Sequence, residues 1–321
     1  MAIRGEWKFT DEEVMSAVAK TVGAVRDFWR DDNFPYFLIT LKQYDHERGS
    51  GDGSEFTNAF WLYMSRPDPL SEYLPTLAHE AFHAWNPRRM GIEADGQKIE
   101  WFREGFTQYY GYLLVHRAGL MPLSDYMNGI NRDLRNYPTS TNAYLHGRII
   151  ALWLDGRIRK DSNQKNSLDN VMFDLVHGAD HPLTEARILE TAGRYLAPDS
   201  RVELKRIVGS GAGIAALDDA LGPCAHASTE ELAAFDAGFD FKASIAAQKV
   251  IGVTADGPAF KAGLRDGQVL SGWSVDNNEP DKAAKFTIQA DEGAKTKIEY
   301  FPRGKTVAVP QYHLDQACRT P

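Results

Sequence analysis

The chain has 321 residues, 43% hydrophobic and 25% charged. These are ordinary values for a globular protein with a real core, and ~150 residues per domain suggests about two domains. A formal net charge of −8 and a pI near 5.6 argue against nucleic acid or an anionic membrane as the main partner.

No apolar run approaches the ~18 residues of a transmembrane helix, so membrane insertion is not expected. The opening "MAIRGEWKFTDEEV" lacks the apolar segment of a signal peptide. The expectation is a soluble chain whose compartment the sequence leaves open, cytoplasmic or periplasmic if it is a piece of a longer protein. Cys224 and Cys318 are the two cysteines. Neither belongs to a C-x-x-C pair, and they read as free thiols.

In chain order, Thr10 with Glu13 three residues on is a capping box, and Val14, Val18, Val22, Val25 and Trp29 follow at helical spacing. "PYFLITLKQY" (35–44) reads as a strand, "DHERGSGDGSEF" (45–56) as a glycine-rich loop and "TNAFWLYMS" (57–65) as a second strand. From Leu74 the pattern is helical, with Pro75 fit for a first turn and Pro87 for a stop. A helix should span about 100–118 with Gly119 ending it, and another 143–161. Mostly helical sequence continues to about 222. Beyond 228, "KVIGV", "AKFTIQA", "TKIEYFPRG" and "KTVAVPQYHL" are short strands punctuated by Gly, Pro and Asp. The fold class is therefore α+β, divided into 1–225 and a small β-rich unit, 226–321.

"LAHEAFHAWN" (77–86) carries the chemistry. Residues four apart share one helix face, so His79 and His83 can grip one metal ion, with Glu80 placed to reach a metal-activated water. Nine histidines and 44 acidic residues in the chain supply only ~0.03 such patterns by chance. A catalytic zinc takes three protein ligands and keeps one position open. By spacing, the third is Glu104 or, one turn earlier, Glu100. His177 and His181 are also four apart, but "HGADH" contains Gly and precedes Pro182, which favours a loop.

"HEAFHAWNPRRM" and "WFREGFTQYYGY" resemble the glycyl aminopeptidase family, PDZ-containing gluzincin zinc metallopeptidases. Its pattern is H-E-x-x-H-x-W-N with a basic pair, then E-G-F-T-x-Y-Y. It is met at His79, Glu80, His83, Trp85, Asn86, Arg88, Arg89, Glu104, Gly105, Phe106, Thr107, Tyr109 and Tyr110. Pro87 stands where a small aliphatic residue is usual. The resemblance selects Glu104 as third ligand and implies one Zn2+ per chain. It also implies a thermolysin-like catalytic domain, mostly helical after a small strand-containing lobe.

Further implications come with that likeness. "AYLHGRIIALWLDGRIR" resembles the family's Y-x-K-G segment, placing Tyr144 as the donor to a developing oxyanion, with His146 in place of the lysine. "GDGSEF" stands where the family has G-G-x-E-H, making Glu55 the candidate for the substrate's α-ammonium, with Phe56 in place of the histidine. The strand at 58–63 would offer an edge for an extended substrate. Residues 257–270 resemble a PDZ module without its G-L-G-F carboxylate loop, and the family's N-terminal β domain is missing.

The implied function is a zinc aminopeptidase removing small N-terminal residues (Gly or Ala) from a peptide with a free N-terminus, Glu80 acting as general base. An endopeptidase on the same scaffold and a PDZ-type peptide binder with an inactive metal site are the alternatives.

Overall fold

A computed structural model describes residues 1–31, 37–43, 52–56, 58–64, 69–211, 213–215, 217, 220–276, 279–289, 293–315 and 318. A short strand, β1 (Ala2–Arg4), leads into helix α1 (Asp11–Trp29). The capping box forms as expected: Glu13 N donates to Thr10 Oγ1 at 3.2 Å, and Thr10 N donates to Glu13 Oε2 at 2.7 Å. Val14, Val18, Thr21, Val25 and Trp29 form its buried stripe.

Strands β2 (Leu38–Gln43), β3 (Asp52–Phe56) and β4 (Ala59–Met64) follow. They complete a sheet of order β1-β2-β4-β3, in which β3 alone runs antiparallel to its neighbour. Two expectations change here. Part of the expected glycine-rich loop, 52–56, is a strand; the rest of that loop lies outside the described residues. Gly, Asp and Ser are poor strand formers, but full pairing with β4, from Asp52↔Tyr63 to Phe56↔Ala59, overrides local preference. Consequently β4 is interior, and the sheet's edge is β3 rather than 58–63.

After a 3₁₀ turn at Leu70–Tyr73 come α2 (Leu74–Phe82), with Pro75 in its first turn, and α3 (Glu100–Arg117). Gly119, at φ +70°, closes the latter. Then α4 (Leu123–Asn136), α5 (Ala143–Asp161), α6 (Leu168–His177), α7 (Glu185–Gly193) and α8 (Pro198–Ser210) complete the helical region. The remaining elements are β5 (Ala225–Phe235), α9 (Phe241–Ala247), α10 (Pro258–Lys261), β6 (Val269–Ser274), β7 (Ala284–Gln289), β8 (Lys295–Tyr300) and β9 (Arg303–Leu314). "KVIGV" makes only an isolated bridge, Lys249↔Val269.

Two hydrophobic clusters divide the chain. The larger unites α1, the four-stranded sheet and α2–α8, and it includes Ala225 of β5 and Tyr312 of β9. The smaller gathers residues of 237–288, including Phe239, Val250, Leu264, Leu270 and Phe286. It is inserted between β5 and β9, which pair antiparallel from Ala225↔Leu314 to Phe235↔Arg303.

That ladder also overturns the free-thiol expectation. Cys224 and Cys318 form a disulfide, Cα atoms 5.7 Å apart. They are separated by 94 residues, so spacing gave no hint of the bond. The pairing of β5 with β9 brings the two ends together.

Candidate metal centre

Helices α2 and α3 pack antiparallel in close contact. A Cβ at Gly111 would stand 2.9 Å from Pro75 O and 3.4 Å from His79 Cβ, so the absence of a side chain lets α3 lie against α2. Farther up α3, Glu104 reaches the other end of α2. His79 and Glu80 lie inside α2, and His83 is its C-cap residue, with its amide bonded to His79 O.

The donors converge. His83 Nε2 stands 3.0 Å from His79 Nε2, and Glu104 Oε2 is 3.5 Å and 3.4 Å from the two nitrogens. Zinc bonds of ~2.0–2.2 Å in tetrahedral geometry put neighbouring donors ~3.3 Å apart, so the triangle fits such an ion. All three residues are buried. Among the described residues they form the one group of three or more His, Cys, Asp or Glu donors able to share a metal. His177 ends α6, its Nδ1 donating to Phe173 O, and it joins no such group with His181.

Neighbours orient the donors. His83 Nδ1 donates to Asn86 O at 2.9 Å, which turns Nε2 toward the centre. The Asn86 side chain donates to Thr107 Oγ1 (3.0 Å) and to the carbonyls of Arg103 and Phe102 (3.3 and 3.4 Å), stapling the turn after α2 to α3 beside Glu104. Trp85 Nε1 donates to Asp31 Oδ2, which also pairs with Arg89. Arg103 Nε binds Glu104 Oε1 at 2.9 Å, so only Oε2 faces the histidines, and the guanidinium also reaches Glu93. Burial opposes the charge on Glu104, but hydrogen bonds from His79 and His83 outweigh it and hold the carboxyl far below its usual range.

Glu80 is buried, and its carboxylate lies against β3. A Cβ at Gly53 would stand 2.5 Å from Glu80 Oε1, so the strand approaches this closely only because Gly53 lacks a side chain. Tyr144, at the start of α5, is 41% exposed, and its ring stacks on His79 at 5.7 Å between centroids. Its hydroxyl lies close enough to Glu104 to feel its charge. Burial and the nearby charge of Glu104 push the phenol well above its ordinary pKa, so it is a proton donor.

Helices α3 and α5 meet through two glycines. A Cβ on Gly147 would fall 1.8 Å from Trp101 O, and one on Gly105 would fall 2.2 Å from Gly147 Cα. This crossing sets Glu104 and Tyr144, each within one turn of it, against each other.

Of the residues singled out in the sequence, His79, Glu80, His83, Glu104 and Tyr144 come together; Glu100 is not in the donor group. The backbone of Glu55 lies in β3 opposite Phe60, and its side chain lies outside what is described. Phe56 is exposed. Sequence reasoning missed Gly53 and Arg103. The latter had one available signal, its position next to Glu104.

The family model of the M61 glycyl aminopeptidases matches residues 72–169, the span holding every donor and Tyr144. Within that span the chain is similar to the M61 glycyl aminopeptidases. No curated protein sequence matches it. Its fold resembles the crystal structure of an aminopeptidase N family protein from Idiomarina loihiensis, with TM-score 0.66 and 18% identity over 98% of this chain and 66% of that one. Weaker likenesses are to an M1 zinc metallopeptidase from Deinococcus radiodurans. A mutant of it bound to a Tyr-Ser-Ala substrate gives TM-score 0.46 and 15% identity over 67% of this chain and 48% of that one. Another structure of the same enzyme gives 0.43 and 15% over 63% and 45%. The chain thus spans about two-thirds of the first protein's length and about half of the second's. Among its described residues, no helix is long and apolar enough to cross a membrane.

Proposed function

We propose that this chain is a zinc-dependent aminopeptidase hydrolysing the N-terminal peptide bond, with a preference for small residues. The carrying observation is the tetrahedral-sized triangle of His79 Nε2, His83 Nε2 and Glu104 Oε2, with Glu80 and Tyr144 against it. Two imidazoles and a carboxylate suit one Zn2+, which when bound supplies Lewis acidity and an acidified water. Glu80 takes the attacking water's proton on its carboxylate and delivers it to the leaving amine. The Tyr144 phenol donates a hydrogen bond to the carbonyl oxygen as it gains charge.

Among the described residues β3 is an edge strand of the sheet, where an extended substrate would pair. Glu55, on that strand, would hold the α-ammonium. The family match supports the Gly/Ala preference. The separate apolar cluster at 237–288 supports a small PDZ-like second unit within 226–321. The disulfide suits an oxidising compartment.

Metal analysis and hydrolysis assays on wild type and Glu80→Gln test the reading. We expect zinc in both and activity only in wild type. A peptide with a free amino terminus should be cleaved and its N-acetylated form spared; equal cleavage of the two would sink the aminopeptidase assignment in favour of the endopeptidase. A wild type that holds no zinc and cleaves neither peptide would refute the whole proposal.

A further inference from the structure

The segment joining α4 to α5 ends two residues before Tyr144, and one side chain ties it down. His146 Nε2 lies 2.7 Å from Ser140 O. A carbonyl only accepts, so the imidazole carries its proton on Nε2. The ring stacks on buried Tyr137, the C-cap of α4, at 4.3 Å between centroids and 19° between planes.

The tie then runs on to the helix start. Ser140 N bonds to Asn136 O at 2.9 Å, and Asn142 N donates to Ser140 Oγ at 3.1 Å. Asn142 Oδ1 in turn accepts from the amides of Tyr144 (2.8 Å) and Leu145 (3.4 Å), capping α5. Thr141 and Asn142 are exposed, so this chain of bonds holds the cap, while buried Leu145 and the crossing at Gly147 anchor the helix behind it; Tyr144 lies between the two supports.

We propose that His146 is a positioning residue for the reaction: by clamping the 137–142 segment to the end of α4, it sets where the Tyr144 hydroxyl stands. The inference rests on the role given to Tyr144 above. Misplacement of a reacting group by ~1 Å can cost ~100-fold in rate. His146→Ala should therefore lower kcat about tenfold or more, with KM within twofold and zinc content unchanged. His146→Gln keeps an N–H donor for Ser140 O and should recover most of the loss.

In a Tyr144→Phe background the same His146→Ala change should have no further effect on kcat. Hydrogen exchange at the amides of 139–146 reads the clamp without using activity. It should quicken in His146→Ala and stay unchanged in Tyr144→Phe. An unchanged exchange rate, or an equal loss of kcat in both backgrounds, would overturn the proposal. If Tyr144→Phe itself leaves kcat intact, the oxyanion role of Tyr144 fails, while the exchange rates still accept or reject the clamp.

Discussion

The crossing of α3 and α5 makes the sharpest demand on sequence, and Gly147→Ala tests it. The added Cβ would meet Trp101 O at 1.8 Å, Gly105 Cα at 2.7 Å and Trp101 C at 2.8 Å, where ordinary contact begins near 3.4 Å. All three are backbone atoms, so no rotamer change relieves them. The helices would have to part by roughly 1.5 Å at the crossing, and such overpacking costs ~1–3 kcal/mol or more. Alanine returns ~1 kcal/mol of helix propensity, leaving a net loss of about 2 kcal/mol at the upper end of that range. At ~2–4 °C per kcal/mol, Tm should fall by about 4–8 °C.

Gly209, in α8 with nothing within 4 Å of its would-be Cβ, is the control. The same substitution there should stabilise by about 0.5–1 kcal/mol. Parting α3 from α5 also draws Tyr144 away from Glu104, so kcat should fall more than the melting curve alone explains. Thermal melts and steady-state kinetics on both variants read the two effects. A Gly147→Ala protein melting at or above wild type, with normal kcat, would refute the reasoning.

Other perturbations separate the parts of the site. Gly53→Ala drives a methyl group into the Glu80 carboxylate and should lower kcat up to ~100-fold while the metal stays bound; loss of metal on analysis would show that β3 supports the donors instead. Arg103→Gln frees Glu104 Oε1 and should weaken metal affinity ~10–100-fold in a chelator competition; unchanged affinity would mean that Glu104 needs no tether. Replacing Cys224 and Cys318 with serine should cost about 2–5 kcal/mol in denaturant titrations yet leave metal affinity as it was. A matching drop in affinity would mean that the disulfide also supports the metal centre.

Much of this protein was legible in one dimension. Thr10 with Glu13 starts a helix through its own two hydrogen bonds, and the valine spacing turns one face inward, so α1 needs no distant partner to be read. The same holds for α3, whose end Gly119 marks. At H-E-x-x-H spacing the two histidines share a face by helix geometry alone, with the glutamate ~100° round from the first, and the expectation of a metal pair with a base beside it follows.

Tertiary structure decided what depends on contacts between distant segments. Spacing alone preferred Glu104 to Glu100 only weakly and the family resemblance chose it; the packing of α3 on α2 is what brings Glu104 Oε2 to 3.5 and 3.4 Å from the two histidine nitrogens. Strand β3 looked like a loop because Gly53 and its polar neighbours gain strand structure only by pairing with β4. The thiols of Cys224 and Cys318 meet because β5 and β9 pair across an inserted body. The site's precision rests on close approach at Gly53, Gly105 and Gly147, where what matters is the atom a side chain would strike, and that atom belongs to another element.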